Sequence, residues 1–348
     1  MIPILIPAYQ PDEKLLRLVE QLQAVGLRDI VIVDDGSRND LKPLFQTLSK
    51  AGCVVLTHAV NLGKGAAIKT GLRHLLDARP EVAGVVTCDA DGQHAPNDIQ
   101  NLVAALNQTP ESLVLGTRDF SLPQVPKKSR FGNRFSALYF RFVTGRVCND
   151  TQTGLRGIPR SLFPLATSIL QNRYDYEMTF LIDAAVAGTP LCYVPIETVY
   201  IDQNASSHFR PFVDSIRIYK EPLKFTAASL LCTGLDLGLF ALILWALHSR
   251  SAFAVVMATV AARLVSGVFN FTLNRKFSFR SKHALKPQLV RYGILYVATL
   301  LSSAWTVHFL ADAFGFPVLF KAVVDLILFV LGYSLQRNWV FAKPKKTA

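Results

Sequence analysis

The stretch Cys88-Asp89-Ala90-Asp91-Gly92-Gln93-His94 follows a run of small apolar residues, Ala83 to Thr87. Two carboxylates one residue apart at the end of a buried strand repel each other and call for a compensating cation. Their oxygens suit a hard divalent ion, Mg²⁺ or Mn²⁺, whose remaining ligands would be diphosphate oxygens and water. The competing reading is local, with one aspartate capping a helix that begins near Pro96. A calcium loop of the EF-hand type is excluded, because His94 and Gln100 stand where that loop needs glycine and glutamate.

The elements around this loop are short apolar runs at 2–6, 29–33, 53–57, 83–88 and 112–116, separated by helical patterns such as 12–25 and 64–78. Such alternation predicts an α/β domain with a mostly parallel sheet, whose ligands bind beyond the carboxyl ends of the strands. The residues that follow the strands are Pro7-Ala8-Tyr9, Asp34-Asp35-Gly36-Ser37, Asn61-Leu62-Gly63-Lys64-Gly65, the Asp89 loop, and Gly116-Thr117-Arg118. Neither G-x-G-x-x-G nor a P-loop is present at the right place. Further on, Lys127, Lys128, Ser129, Arg130 and Arg134 precede an aromatic segment, Phe135 to Phe142. With Arg118 the lysines and arginines of this run could hold a phosphate, arginine by a bidentate fork and lysine as a point charge; the plainer alternative is solvated surface charge. Tyr174-Asp175-Tyr176-Glu177 opens a helix and either faces a ligand's hydroxyls or caps that helix.

Composition divides the 348 residues in two. Residues 1–210 carry 21 Lys and Arg against 20 Asp and Glu, and residues 211–348 carry 16 against 5. The basic half is also the apolar half, in a chain that is 51% hydrophobic. Nucleic-acid binding is a poor explanation for charge set among apolar spans, whereas cytoplasmic basic loops of a membrane protein fit it. Four apolar stretches, 226–247, 252–273, 292–311 and 316–335, each approach the ~20 residues a spanning helix needs. They form a repeat: Phe271-Thr-Leu-Asn274-Arg275-Lys-Phe277-Ser-Phe279 returns as Tyr333-Ser-Leu-Gln336-Arg337-Asn-Trp339-Val-Phe341, 62 positions later. Thirteen basic residues flank one side of these spans and only Arg250 the other, which places the N-terminal domain, the middle loop and the tail in the cytoplasm. Arg263 and Asp325 occupy equivalent repeat positions and are expected to pair, for helix packing or for transport. Residues 211–225 read as an interfacial segment and 343–348 as a basic tail. Five cysteines without C-x-x-C pairing suit a reducing compartment, and the first residues read as a strand rather than a leader peptide.

Taken in order, Pro7-Ala8-Tyr9, Val33-Asp34-Asp35-Gly36-Ser37, Asn61-x-Gly63-Lys64-Gly65 and Asp89-Ala90-Asp91-Gly92-Gln93-His94 resemble glycosyltransferase family 2, most of all its dolichol-phosphate mannose synthase branch. The resemblance continues through Ser129-Arg130-Phe-Gly-Asn133 and Asp150-Thr-Gln-Thr-Gly154-Leu-Arg156, and covers about residues 2–210. The second half resembles the GtrA-like family, whose N-R-x-[FW]-x-F ending appears at Asn274 to Phe279, with Gln336 replacing the asparagine in the second copy. The resemblance implies a GT-A fold over 1–210 and a GtrA-like domain of four transmembrane helices over 226–342. It implies that Pro7, Ala8, Tyr9, Asp34, Asp35, Lys64 and Ala90 hold the nucleotide-sugar, and that Asp89, Asp91 and Gln93 bind Mg²⁺ or Mn²⁺ and the donor diphosphate. Arg118, Lys128, Ser129 and Arg130 would take the acceptor phosphate, with Asp150 as candidate base or as the residue orienting Arg156 or another cation. Lys127 and Lys128 replace arginines of the family pattern, which leaves open the cation that grips the phosphate. Ser206 to Arg210 would close over the diphosphate. The implied enzyme is an inverting transferase that moves a sugar from a GDP- or UDP-sugar to undecaprenyl or dolichyl phosphate at the cytoplasmic face of the cell membrane, with oligomerisation possible. Rival expectations are a transferase fused to a translocator of lipid-linked sugar, and transfer to another hydroxyl acceptor. A processive polysaccharide synthase is disfavoured, because Gln336-Arg337-Asn338-Trp339 has the wrong spacing for Q-x-x-R-W.

Overall fold

The computed structural model describes residues 2–123, 125–197, 220–248, 252–279, 281, 284–314 and 317–341. It divides into two compact units, Met1–Ile218 and Tyr219–Ala348.

The first unit is built on a seven-stranded sheet. Strands β1 (Ile4–Ala8), β2 (Ile30–Asp34) and β4 (Gly84–Thr87) are buried along their whole length, as their unbroken apolar runs require of strands covered on both faces. β3 (Val54–Thr57) and β7 (Leu191–Pro195) are more exposed and form the two edges, while β5 (Leu113–Thr117) and β6 (Arg156–Pro159) complete the order β3-β2-β1-β4-β6-β5-β7. Helix α1 (Lys14–Ala24) turns Leu15, Leu18, Val19 and Leu22 onto the sheet, the i, i+3, i+4, i+7 stripe of a core-facing helix. α2 (Lys42–Lys50), α3 (Lys64–Ala78) and α4 (Pro96–Gln108) cover the other crossovers, and Ile4, Ile6, Leu18, Ile32, Val86, Ile99 and Leu102 lie in one core. Each such buried aliphatic side chain contributes roughly 1.5–3 kcal/mol.

Two features of the topology make a site. The chain steps outward from β1 to β2 to β3, then returns to place β4 on the other side of β1. The crossovers therefore diverge above the carboxyl ends of β1 and β4 and leave a crevice there. The second feature departs from the sequence reading, which found five strands and missed β6 and β7. β6 runs antiparallel between β4 and β5, with Arg156 opposite Thr87 and also opposite Leu115. An antiparallel strand brings its leading loop to the edge where parallel strands bring their trailing loops. Residues 150–155 thus join the crevice. Among the described residues, α5 (Lys127–Thr144), α6 (Phe163–Ser168) and α7 (Asp175–Val186) are the remaining α-helices of the unit.

Among the described residues, the second unit holds four long helices, α8 (Lys220–Leu247), α9 (Ala252–Leu273), α10 (Leu285–Phe314) and α11 (Pro317–Leu335). One segment among the described residues, Leu223–Leu247, is long and apolar enough by length and composition to cross a membrane. Large apolar side chains stand exposed on all four helices, among them Leu230, Leu264, Trp305 and Leu326. The sequence repeat is a structural one. Helices α9 and α11 both end in a single π-helical turn, Asn274–Ser278 and Gln336–Val340. Equivalent residues meet each other: the Asn274 amide donates to Gln336 Oε1 at 3.1 Å, and the Phe279 and Phe341 rings lie 5.1 Å apart. The flanking contacts are reciprocal, Phe279 with Tyr333 at 5.9 Å and Phe341 with Phe271 at 5.7 Å. Such reciprocity is the mark of an isologous, two-fold contact between the two hairpins. The substitution at Gln336 keeps an amide at the axis.

The expected Arg263–Asp325 pair is corrected. Arg263 Nε lies 3.4 Å from Asp236 Oδ2 on the preceding helix, and Ser266 Oγ donates to the same carboxylate at 2.9 Å. Asp325 instead accepts from Ser303 Oγ of α10 at 2.7 Å. The repeat equivalence of two positions sets them at matching places in their own hairpins, and a neighbour within the hairpin is the nearer partner.

Candidate active site

Asp35 anchors the crevice from beneath. Its carboxylate accepts the backbone amides of Leu62 (2.9 Å) and Gly63 (2.7 Å) and lies 2.7 Å from His58 Nδ1. His58 Nε2 continues to Thr70 on α3 at 2.9 Å. Asp35 is thus spent on fixing the 61–63 loop, and Asp34 on the turn that follows β2, where it accepts the Ser37 amide at 2.9 Å. Gly63 has φ 105°, and a Cβ there would run into the Asn172 carbonyl. The loop delivers Lys64 as the first residue of α3, and α3 is locked in place by Lys69, whose ammonium donates to the carbonyls of Ile169 and Gln171, each at 2.8 Å. Tyr9, at the end of β1, is 39% exposed at the rim.

Lys64 joins the Asp89 loop to the first turn of α7, far apart in sequence. Its Nζ lies 2.7 Å from Asp89 Oδ1 and 3.0 Å from Glu177 Oε1. Burial alone would lower its pKa, but Asp89 and Glu177 override that and hold it well above the ordinary lysine value. Burial likewise works against ionised Asp89, yet Lys64 first and His94 second keep this carboxyl far below its usual range. The second Asp89 oxygen lies 3.7 Å from His94 Nε2, a buried nitrogen without a hydrogen-bond partner. Asp91 moves the other way. Burial and the charge of Asp89 raise its pKa, against a smaller opposing effect of the Gln93 amide, which donates to Asp91 Oδ1 at 3.1 Å. Among the described residues no three His, Cys, Asp or Glu side chains gather to hold a metal ion by themselves; the two mutually repelling carboxylates of this loop are oxygen donors that suit a divalent cation whose remaining ligands come from a bound diphosphate and water.

Gly154, from the loop before β6, closes this side. A Cβ at Gly154 would sit 2.5 Å from Asp89 Oδ2. Gly154→Ala is expected to push Asp89 off its place while leaving the sheet intact. Turnover should fall by about 100-fold, the cost of roughly 1 Å of misplacement at a reacting centre. Steady-state rates beside a melting curve check this; a rate near wild type would show that Asp89 has slack.

The basic cluster is only partly assembled. Arg118 forms a two-pronged bond with Asp150, Nε to Oδ2 at 2.7 Å and Nη2 to Oδ1 at 3.0 Å, and its guanidinium stacks 5.1 Å from the Phe120 ring. Asp150 is 0% exposed and also receives the Gln152 amide at 3.1 Å. Of the two orienting roles considered from sequence, the cation Asp150 holds is Arg118. Arg156 bonds instead to the carbonyls of Thr153 (2.9 Å) and Glu177 (2.7 Å). Arg130, one residue after Ser129, is exposed on α5 and donates to the Leu122 carbonyl at 3.0 Å. The Lys128 side chain and Ser206 to Arg210 lie outside the described residues. Sequence reasoning missed the scaffold role of His58, which carries no motif, and the meeting of Glu177 with Lys64.

These features define a nucleotide-sugar-type α/β domain with a mixed sheet, joined to a helical unit. Residues 4–163 match the model for glycosyl transferase family 2, and residues 221–341 match that of the GtrA/DPMS transmembrane domain. The chain thus carries a glycosyl transferase family 2 domain followed by a GtrA/DPMS transmembrane domain. It is similar to the UDP-N-acetylglucosamine–dolichyl-phosphate N-acetylglucosaminyltransferase of Methanococcus voltae, 28% identical over 220 residues, 58% of this chain and 87% of the relative. It is also similar to the dolichol-phosphate mannosyltransferase of Mycosarcoma maydis, 25% identical over 206 residues, 55% of this chain and 68% of the relative. Among solved structures it matches glucosyl-3-phosphoglycerate synthase from Mycobacterium tuberculosis at TM-score 0.47 and 18% identity, over 66% of this chain and 78% of that one.

Proposed function

We propose that the protein transfers a sugar from a nucleoside-diphosphate sugar to a polyprenyl phosphate at the cytoplasmic face of a membrane. The observation that carries this is the union, in one chain, of the Asp89–Lys64–Glu177 cluster at the carboxyl edge of the sheet with a GtrA/DPMS transmembrane domain. An acceptor that stays in the bilayer calls for a transferase tethered to it, and the two relatives described above are named for dolichyl phosphate. The helices α8 to α11 are read as four spans over about 226–247, 252–273, 292–311 and 316–335, with both termini cytoplasmic, on the strength of their exposed apolar surfaces and basic loops. Residues 1–210 are read as the transferase and 211–225 as an interfacial lead-in, most of which lies outside the described residues.

In this reading Tyr9 and the Asp34 turn receive the nucleoside, and Asp89 and Asp91, with Gln93 or His94, hold Mg²⁺ or Mn²⁺. When bound, that ion would neutralise the charge that builds on the leaving diphosphate. Lys64 adds a second positive charge on the same side. Arg118, fixed by Asp150 and joined by Arg130 and the start of α5, positions the acceptor phosphate for attack at C1 from the opposite face, with inversion.

One experiment tests both the chemistry and the orientation. Sealed inside-out vesicles given labelled UDP- or GDP-sugars outside should form labelled polyprenyl-phosphate sugar, and right-side-out vesicles should not. Product that is formed equally from either side, or only on free polyprenol, would overturn the reading. A second reading, that the helical unit also translocates lipid-linked sugar, draws on Asp236–Arg263, where Asp236 is 15% and Arg263 55% exposed along two apolar helices. Flipping of supplied lipid-linked sugar by the full-length Asp89→Asn chain would separate translocation from synthesis.

A further inference from the structure

We propose that Lys64 is a built-in competitor of the divalent ion for Asp89, with Glu177 as the anchor to which its ammonium withdraws, so that ion and nucleotide bind together far better than either binds alone. The proposal rests on the donor-site reading above and deepens it.

The competition follows from where Lys64 is held. Its backbone cannot retreat: the preceding amides of Leu62 and Gly63 are bonded to Asp35, and the Ala66 amide donates to the Asn172 carbonyl at 3.0 Å. A Cβ at Gly65 would strike Tyr176, so the start of α3 is pressed against the start of α7. Only the four-carbon stem is free to move. At its tip the ammonium lies 2.7 Å from Asp89 Oδ1, with the two Glu177 oxygens at 3.0 and 3.1 Å. The Lys64 side chain is 18% exposed, so solvent screens its charge poorly. A divalent ion placed on Asp89 and Asp91 would therefore meet a positive charge already in contact with one of its ligands.

A lysine is a compact point charge and can trade one carboxylate for another without losing its bonding. Glu177 supplies that second carboxylate. The Arg156 guanidinium holds the Glu177 carbonyl at 2.7 Å, which ties this residue to the loop that carries Gly154. A diphosphate brings the negative charge that makes Lys64 and the ion compatible. Each ligand then raises the affinity of the other by the same factor.

The test is a titration of the full-length protein in detergent with Mn²⁺, read by electron paramagnetic resonance of the free ion, without nucleotide and then with UDP or GDP. No turnover is needed. For wild type, nucleotide should strengthen Mn²⁺ binding by about tenfold or more, within the usual range of such couplings. Lys64→Met should bind Mn²⁺ alone about tenfold more tightly than wild type and lose most of the coupling. Glu177→Gln should do the reverse and weaken Mn²⁺ alone a few-fold, because the ammonium is left with Asp89. The double variant should behave as Lys64→Met, a non-additivity that damage to the fold would not produce. Lys64→Gln gives the same test if the Met variant does not fold. Unchanged or weaker Mn²⁺ binding in the Lys64 variants would overturn the competition. Mn²⁺ binding that survives both Asp89→Asn and Asp91→Asn would overturn instead the metal assignment beneath it.

Discussion

Asp89→Asn in the full-length chain is expected to lower the rate of sugar transfer by about a thousandfold or more, with the melting temperature nearly unchanged. The size follows from a weakened hold on the ion that would neutralise the leaving diphosphate, where losing one stabilising group costs about 10²–10³ in rate, together with loss of the carboxylate that positions Lys64. Asp89 is the hub of the cluster, with Lys64 on one oxygen and His94 and Gly154 on the side of the other. An amide there keeps the shape but offers Lys64 a neutral oxygen at best. The fold should survive, because burial in this stretch rests on Cys88, which is 0% exposed at the end of β4, rather than on Asp89. Asp91→Asn should be comparably slow but should respond to Mn²⁺ differently, since Asp91 carries no such pairing with Lys64. Labelled-sugar transfer over a Mn²⁺ titration measures both. Turnover within tenfold of wild type, with an unchanged Mn²⁺ response, would remove Asp89 from the reaction.

Much of this site could be read before any coordinates, for a physical reason. In a parallel sheet the residue after each strand reaches the ligand edge, so Tyr9, Asp34, Asp89 and Arg118 could be placed by locating four apolar runs. What stayed hidden depends on contacts across the fold. β6 reads Arg-Gly-Ile-Pro, too short and too polar at its start to signal a strand, yet it is fully buried and sets the antiparallel register that brings Asp150 to Arg118. Asp35 sits within a motif suggestive of ligand binding, but its oxygens are taken by backbone amides and His58. Lys64 and Glu177 are 113 positions apart, and neither position alone signals the other. In the helical unit the repeat was legible because it recurs in sequence. The partner of Arg263 was not, because hairpin packing and not repeat equivalence selects Asp236.

The pairing of half-buried Arg118 with buried Asp150 decides what kind of catalysis to expect at the acceptor. To serve as a base, Asp150 would have to take a proton while bonded on both oxygens to a guanidinium, and the Arg118 and Gln152 backbone amides point at it as well. Protonation would break the fork and leave Arg118 unheld. A phosphate monoester needs no such base, since its second pKa is about 6 and it is largely a dianion at pH 7. What it needs is a fixed cation, and a carboxylate with 0% exposure is a firm support for one. Asp150→Asn is therefore expected to raise the KM for polyprenyl phosphate and lower kcat/KM for it by about 100-fold, in line with the ~2–5 kcal/mol lost when one partner of a buried charge pair is removed. The donor KM should hold, and the pH profile should keep its shape. Arg118→Lys should give a similar defect, because an ammonium cannot reproduce the fork, and the double variant should be little worse than either single one. Kinetics with polyprenyl phosphate and with free polyprenol, from pH 5.5 to about 8 to bracket that phosphate ionisation, supply the measurement. Efficient use of the free alcohol, abolished by Asp150→Asn with a new pH dependence, would make Asp150 a base after all and the acceptor a hydroxyl.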